Sequence, residues 1–223
     1  MLALEFLKKD PIYYIKPFSI WREKIKHLRP YQQEAINSIR KCLKESTDPI
    51  ILEASVGSGK SLICSELLLM IEKANWRALC LTMNSTLIQQ NNETHKIQGG
   101  NSGIYCSGLN EKDINKPVIF GSPHSIILGI KNKEQISQIR FNLIIIDECH
   151  NIDYKNSSSM YMRILYHYGF MAQSNNYKYR IVGLTGTPYR GKNEPIVHQE
   201  ALFKKTAYSC LLYTSPSPRD AHE

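Results

Sequence analysis

The chain has 223 residues, 42% of them hydrophobic and 22% charged, which suits one packed domain with a short appendage and argues against a fibrous, disordered or disulfide-stapled protein. No apolar run approaches the roughly 20 residues of a membrane span, and residues 1–9 mix Leu and Phe with Glu5, Lys8 and Lys9 where a signal peptide has an unbroken apolar core, so the expected compartment is the cytoplasm. Lys and Arg number 28 against 20 for Asp and Glu, and the resulting net charge of +8 favours an anionic partner, of which nucleic acid is the commonest.

Residues 1–27 set aromatics and lysines around Pro11 and Pro17 and read as an extension that packs on the domain. Ala35, Ile36, Ile39 and Leu43 then recur at helical spacing, and Asp48-Pro49 ends that helix. Residues 50–52 predict a short buried strand. A Gly/Ser loop follows, then a helix over 60–72. The alternation continues with strands at 78–82, 118–120, 141–146 and 179–184, and helices at 87–94 and 157–168. Continuous apolar strands alternating with helices predict an α/β fold, a parallel sheet with helices on both faces. In such sheets ligands collect at the carboxyl ends of the strands, and the polar signatures of this chain lie just after those ends. There is no internal repeat. The six cysteines form no Cys-x-x-Cys pair, which argues against a zinc knuckle and suits a reducing compartment.

Residues 54–61 read Ala-Ser-Val-Gly-Ser-Gly-Lys-Ser, a phosphate loop in which Ala54 replaces the usual first glycine. Gly57 and Gly59 allow the tight turn that aims successive backbone N–H groups of Val56, Gly57, Ser58 and Gly59 at a phosphate. The helix starting near Lys60 adds its positive end. Lys60 can reach the β- and γ-phosphates, and the Ser61 hydroxyl can ligate magnesium. Farther on, residues 143–146 lead into Asp147-Glu148-Cys149-His150. Two carboxylates at the end of a buried strand need a reason, because unpaired buried charge is costly. A magnesium–nucleotide supplies one: Asp147 holds the metal through water, and Glu148 orients and deprotonates the attacking water.

Asp147-Glu148-Cys149-His150 resembles the Walker B motif of the DEAD/DEAH-type superfamily 2 helicases, and further motifs resembling that family's lie around it in order. Residues 28–32, Leu-Arg-Pro-Tyr-Gln, resemble the upstream motif whose glutamine reads adenine, which implies nucleotide contacts from Arg29 and Gln32. Residues 81–84 with Leu87 and Gln90 resemble the motif that grips the nucleic-acid backbone, implying Asn84 and Gln90. Residues 120–125 resemble a further strand-binding motif, implying Ser122 and His124; a plain helix start after Pro123 is the alternative. Leu184-Thr185-Gly186-Thr187-Pro188 resembles the motif coupling hydrolysis to strand movement, with Thr185 and Thr187 linked to the γ-phosphate by His150; a simple capping histidine is the alternative. The resemblance covers residues 28–209, reaches the RadD-like DNA repair group and restriction-enzyme motor subunits, and departs from it at Met83, where many relatives have proline, and at Gly186, where alanine is commoner.

The resemblance implies a RecA-like P-loop NTPase domain with ATP and Mg2+ as cofactors and DNA, ahead of RNA, as partner through backbone contacts. An RNA helicase of like architecture, a nucleotide-dependent binding module and a small-molecule kinase are the alternatives. Residues 210–220 resemble, residue for residue, one reading frame of a widely used transposase-type sequencing adaptor, with residues 221–223 in the barcode that follows; a Pro/Ser-rich linker is the other reading. The expectation is that the native sequence breaks off near Ser209 and that residues 210–223 are disordered. A second RecA-like domain would then be missing, together with its arginine fingers, for which Arg190, Lys192 and Arg219 do not substitute. The chain alone is then expected to bind ATP–magnesium weakly and to hydrolyse it slowly or not at all.

Overall fold

The computed structural model describes residues 27–171, 179–191 and 194–210. The expected extension up to residue 26, Lys192 and the tail beyond Cys210 lie outside the described residues. In chain order the elements are α1 (Pro30–Glu45), β1 (Ile50–Ala54), α2 (Lys60–Lys73), β2 (Ala78–Leu81), α3 (Ser85–Ile97), β3 (Ser102–Cys106), β4 (Glu111–Lys112), β5 (Val118–Gly121), α4 (Pro123–Lys131), β6 (Leu143–Asp147), α5 (Met160–His167), β7 (Arg180–Thr185), β8 (Tyr189–Arg190), β9 (Glu194–Pro195) and β10 (Lys205–Cys210).

Eight strands form one sheet in the order β10-β1-β7-β6-β2-β5-β3-β4, and β8 pairs with β9 in a separate ribbon. Every pairing in the large sheet is parallel except that of β3 with the two-residue edge strand β4. Because side chains alternate across a strand, each strand divides its apolar residues between two cores. Ile50, Leu52, Ala54, Cys80, Ile145 and Val182 face one core, which α1, α2 and α3 close with residues such as Ile39, Leu68 and Ile88. Ile51, Leu79, Leu81, Ile144, Ile146 and Ile181 face the other, closed by α4 and α5 with Ile126, Ile164 and Leu165. Both faces of the sheet are thus covered, as the unbroken apolar runs require.

The helices start where the local chemistry allows. Pro30 opens α1, where its missing N–H costs nothing, and the Gln32 side chain reaches back to accept from the Arg29 N–H at 2.8 Å. The Asn84 side chain caps α3 by accepting from the Thr86 N–H at 2.8 Å. Ser122 caps α4 by accepting from the Ser125 N–H at 3.2 Å, with Pro123 in the first turn. The strands β3, β4, β8, β9 and β10 add to the elements read from the sequence, and α4 is the helix start after Pro123 given there as the alternative.

Candidate nucleotide site

At the carboxyl end of β1 the chain turns through residues 55–59 into α2. The turn is possible because Gly57 and Gly59 take left-handed φ of 82° and 80°. Ser58, between them, is fully buried. Its N–H donates to the Ser55 carbonyl at 3.1 Å, and its own carbonyl accepts from the Tyr31 hydroxyl at 2.8 Å and Gln32 Nε2 at 2.9 Å. The start of α1 therefore fastens the middle of the loop. Val56 stands at the loop's crest, 88% exposed. Lys60, first residue of α2, donates from Nζ to the Ala54 carbonyl at 3.1 Å and lies 3.6 Å from Glu148 Oε1.

The acidic pair reaches the same place from β6, whose neighbours are β7 and β2. Asp147 Oδ1 accepts from the Glu148 N–H at 3.0 Å, and Oδ2 accepts from Asn91 Nδ2 at 3.4 Å. Burial, followed by the adjacent Glu148 charge, pushes the Asp147 carboxyl above the ordinary carboxylate range, against the pull of Lys60 and Asn91. Glu148 sits at φ 49°, ψ 49°, a left-handed conformation uncommon outside glycine and asparagine, which swings its carboxylate between Lys60 and His150. His150 Nδ1 is 3.4 Å from Glu148 Oε2 and 2.9 Å from Thr185 Oγ1. The Thr185 hydroxyl donates its one proton to the Thr187 carbonyl at 2.7 Å, so it accepts from His150, which places a proton on Nδ1. Glu148, His150, Thr185 and Thr187 form one chain of contacts across β6 and β7. A methyl built on Gly186 would meet Lys60 Nζ at 3.5 Å, an ordinary contact, so the glycine is not sterically required there.

Beside the loop lies a cleft of about 730 Å³, lined by Arg29, Gln32, Gly57, Gly59 and Ser61 and, from α3, by Gln90 and Glu93. Arg29, Gln32 and residues 57–59 and 61, singled out in the sequence for nucleotide contacts, are thereby gathered around one opening. Gln90, expected on a nucleic-acid backbone, lines this opening. Asn84 and Ser122 follow the ends of β2 and β5 at the same edge of the sheet, with their side chains engaged in helix capping, and His124 is exposed on the first turn of α4. Tyr31, Asn91 and Glu93 were not singled out in the sequence. A buried asparagine pair, Asn91-Asn92, inside an otherwise regular helix was the available signal for the second of them. The Asp147 carboxylate and the Ser61 hydroxyl are each oxygen donors, the kind magnesium takes, with phosphate and water as its usual remaining ligands.

Residues 25–190 match the family model described as "Type III restriction enzyme, res subunit". The chain belongs to that family. Among its relatives, irc3 of Schizosaccharomyces pombe, named as a mitochondrial ATP-dependent helicase, is 27% identical over 184 residues, 77% of this chain and 28% of its own length. IRC3 of Saccharomyces cerevisiae, named as an ATP-dependent helicase, is 28% identical over 169 residues, 72% of this chain and 23% of its own. The Endoribonuclease Dicer homolog 2 of Arabidopsis thaliana is 26% identical over 204 residues, 82% of this chain and 14% of its own. The chain thus spans less than a third of each of these relatives. Two solved structures share the fold. The Type ISP restriction-modification enzyme LlaGI, solved as a nuclease-deletion mutant with a DNA substrate mimic, superposes at a TM-score of 0.59 and 17% identity, over 84% of this chain and 20% of that one. The Sulfolobus solfataricus SWI2/SNF2 ATPase core with double-stranded DNA does so at 0.56 and 20%, over 79% and 35%. The res subunit family accords with the superfamily 2 helicase motifs and the RecA-like parallel sheet expected from the sequence.

Proposed function

We infer that this res-family domain is the ATP-binding motor domain of an ATP-dependent DNA helicase or translocase. The observation that carries the reading is the meeting of Lys60, Asp147 and Glu148 at the carboxyl ends of β1 and β6, with His150 bonded to Thr185 on the neighbouring strand. Val56, Gly57 and Gly59 would present loop N–H groups to the phosphates, the Ser58 N–H being held by the Ser55 carbonyl while Ser58 lines the cleft, and Lys60 would exchange the Ala54 carbonyl for a phosphate oxygen. Arg29 and Gln32 take the base end of the cleft. Ser61 and Asp147 would hold magnesium, and Glu148 would orient a water and receive its proton. ATP supplies the phosphoryl group when bound, and magnesium draws charge from its oxygens. His150, Thr185 and Thr187 carry the state of Glu148 into the segment after β7.

The net charge of +8 supports an anionic partner, and Asn84, Ser122 and His124 at the same sheet edge are the proposed backbone contacts. DNA is favoured over RNA because both superposed structures were solved with DNA or its mimic. Completion of the site by an arginine-bearing second domain, and weak turnover by this chain alone, belong to the same proposal. So does a cytoplasmic location, which the buried free thiols support. The test is ATP hydrolysis by a protein carrying this domain together with its second motor domain, without nucleic acid, with DNA and with RNA. Stimulation by DNA above RNA is expected and is lost in Glu148→Gln. Greater stimulation by RNA would replace the DNA reading with the RNA helicase one. Turnover indifferent to both would overturn the motor and leave a nucleotide-binding module.

A further inference from the structure

The buried face of α3 carries more polar groups than packing requires. Asn91, Asn92 and His95 are each 5% exposed or less. A buried amide or imidazole without a partner is costly, so the partners say what each residue is for. Asn92 Oδ1 accepts from Ser102 Oγ of β3 at 2.7 Å. His95 bridges Ser65 and Glu72 of α2, at 3.0 and 2.6 Å. These two fasten the helix to its scaffold, away from the acidic pair. Asn91 differs, because its Nδ2 reaches Oδ2 of Asp147 on β6, at 3.4 Å, the long end of hydrogen-bond range. The other oxygen of Asp147 receives the Glu148 N–H at 3.0 Å. Each carboxylate oxygen thus has one donor, and together the two donors set the plane of the group. Gln90, the preceding residue, lines the nucleotide cleft. One turn of α3 therefore touches both the cleft wall and the buried carboxylate.

We propose that Asn91 is a positioning residue for the metal-holding carboxylate. By holding Asp147 Oδ2 it fixes the direction in which the carboxylate offers its remaining lone pairs, and it ties that direction to the helix that walls the nucleotide cleft. The proposal rests on the reading of Asp147 as a magnesium ligand. An apolar side chain of similar volume at position 91 frees Asp147 to turn. It weakens the share of nucleotide affinity that depends on magnesium and leaves the rest intact.

The experiment is titration of the 223-residue chain with a fluorescent N-methylanthraniloyl ADP, in EDTA and across a magnesium series, for wild type, Asn91→Leu, Asn91→Ala and Asn92→Leu. In EDTA the four proteins are expected to bind alike. In the magnesium series both Asn91 variants are expected to need about tenfold more metal than wild type, the usual consequence of losing a partner of a metal-bound group. Asn92→Leu, equally buried on the same helix, is expected to follow wild type. A wild-type magnesium curve in either folded Asn91 variant overturns the proposal, and so does an equal shift in Asn92→Leu, which would make the effect one of α3 packing. Wild-type binding that ignores magnesium would instead overturn the nucleotide reading on which the proposal stands.

Discussion

Glu148 does two things at once: it pairs with Lys60 on one side and touches His150 on the other, in a backbone conformation that few residues other than glycine adopt. Replacing its carboxylate by an amide keeps the shape and removes the proton acceptor. In a protein carrying this domain together with its second motor domain, Glu148→Gln is expected to lower ATP hydrolysis by about 100-fold or more while nucleotide binding persists, measured by steady-state turnover and by titration. Asp147 makes a different prediction. Its carboxyl is raised above 3.8, first by burial and then by Glu148. Between that ordinary value and the raised one, the folded chain keeps a proton that the unfolded chain has lost, so stability falls as pH rises through this window. Above the window the full cost of the buried charge remains. Asp147→Asn is therefore expected to melt at a higher temperature than wild type at neutral pH in EDTA, and to lose the extra stabilisation that magnesium–nucleotide gives. The phosphate loop and the acidic pair were legible in the sequence because each is a short local string whose residue types answer to one chemistry. Tyr31 and Asn91 were not, because their contacts with Ser58 and Asp147 span 27 and 56 residues and exist only once the sheet has formed.

The strands with unbroken apolar runs declared themselves, because burial on both faces leaves no room for polar residues. β3 and β10 did not. β3 opens with Ser102 and Gly103, and Gly103 lies where a Cβ would come within 2.8 Å of Asp113, so the packing that needs a glycine also weakens the strand signal. β10 is an edge strand with a half-exposed, polar pattern, and its pairing with β1 decides its structure. Cys210, expected to begin the tail, closes this strand opposite Ala54. Between the elements, β7 packs through Gly183 against Cys149 and Phe203, where an added Cβ would meet Cys149 Sγ at 2.6 Å and Phe203 Cζ at 2.7 Å. Gly183→Ala is accordingly expected to cost about 1–3 kcal/mol in denaturant unfolding, as overpacking of a filled core does. Gly186→Ala, three residues on, is expected to cost little.

At the scale of the molecule, the parallel order of β1, β7, β6 and β2 brings strand ends that are far apart in sequence to one edge, and every group assigned to the nucleotide follows one of those strands or lines the adjoining cleft. The same topology explains why the fold class was readable from strand–helix alternation alone, whereas the cleft beside the phosphate loop, walled by α1 and α3 together, was readable only as separate motifs. The chain belongs to the res subunit family and spans less than a third of the helicase relatives it matches. Binding of a magnesium–nucleotide at this edge through Lys60 and Asp147 is open to calorimetric titration of the chain with a non-hydrolysable ATP analogue, with and without magnesium, for wild type and Lys60→Ala. Magnesium is expected to strengthen binding in wild type, and Lys60→Ala to weaken it by at least about tenfold, the loss of a charge-assisted contact to phosphate. Equal binding by the two proteins, unaffected by magnesium, would contradict a magnesium–nucleotide site at this edge.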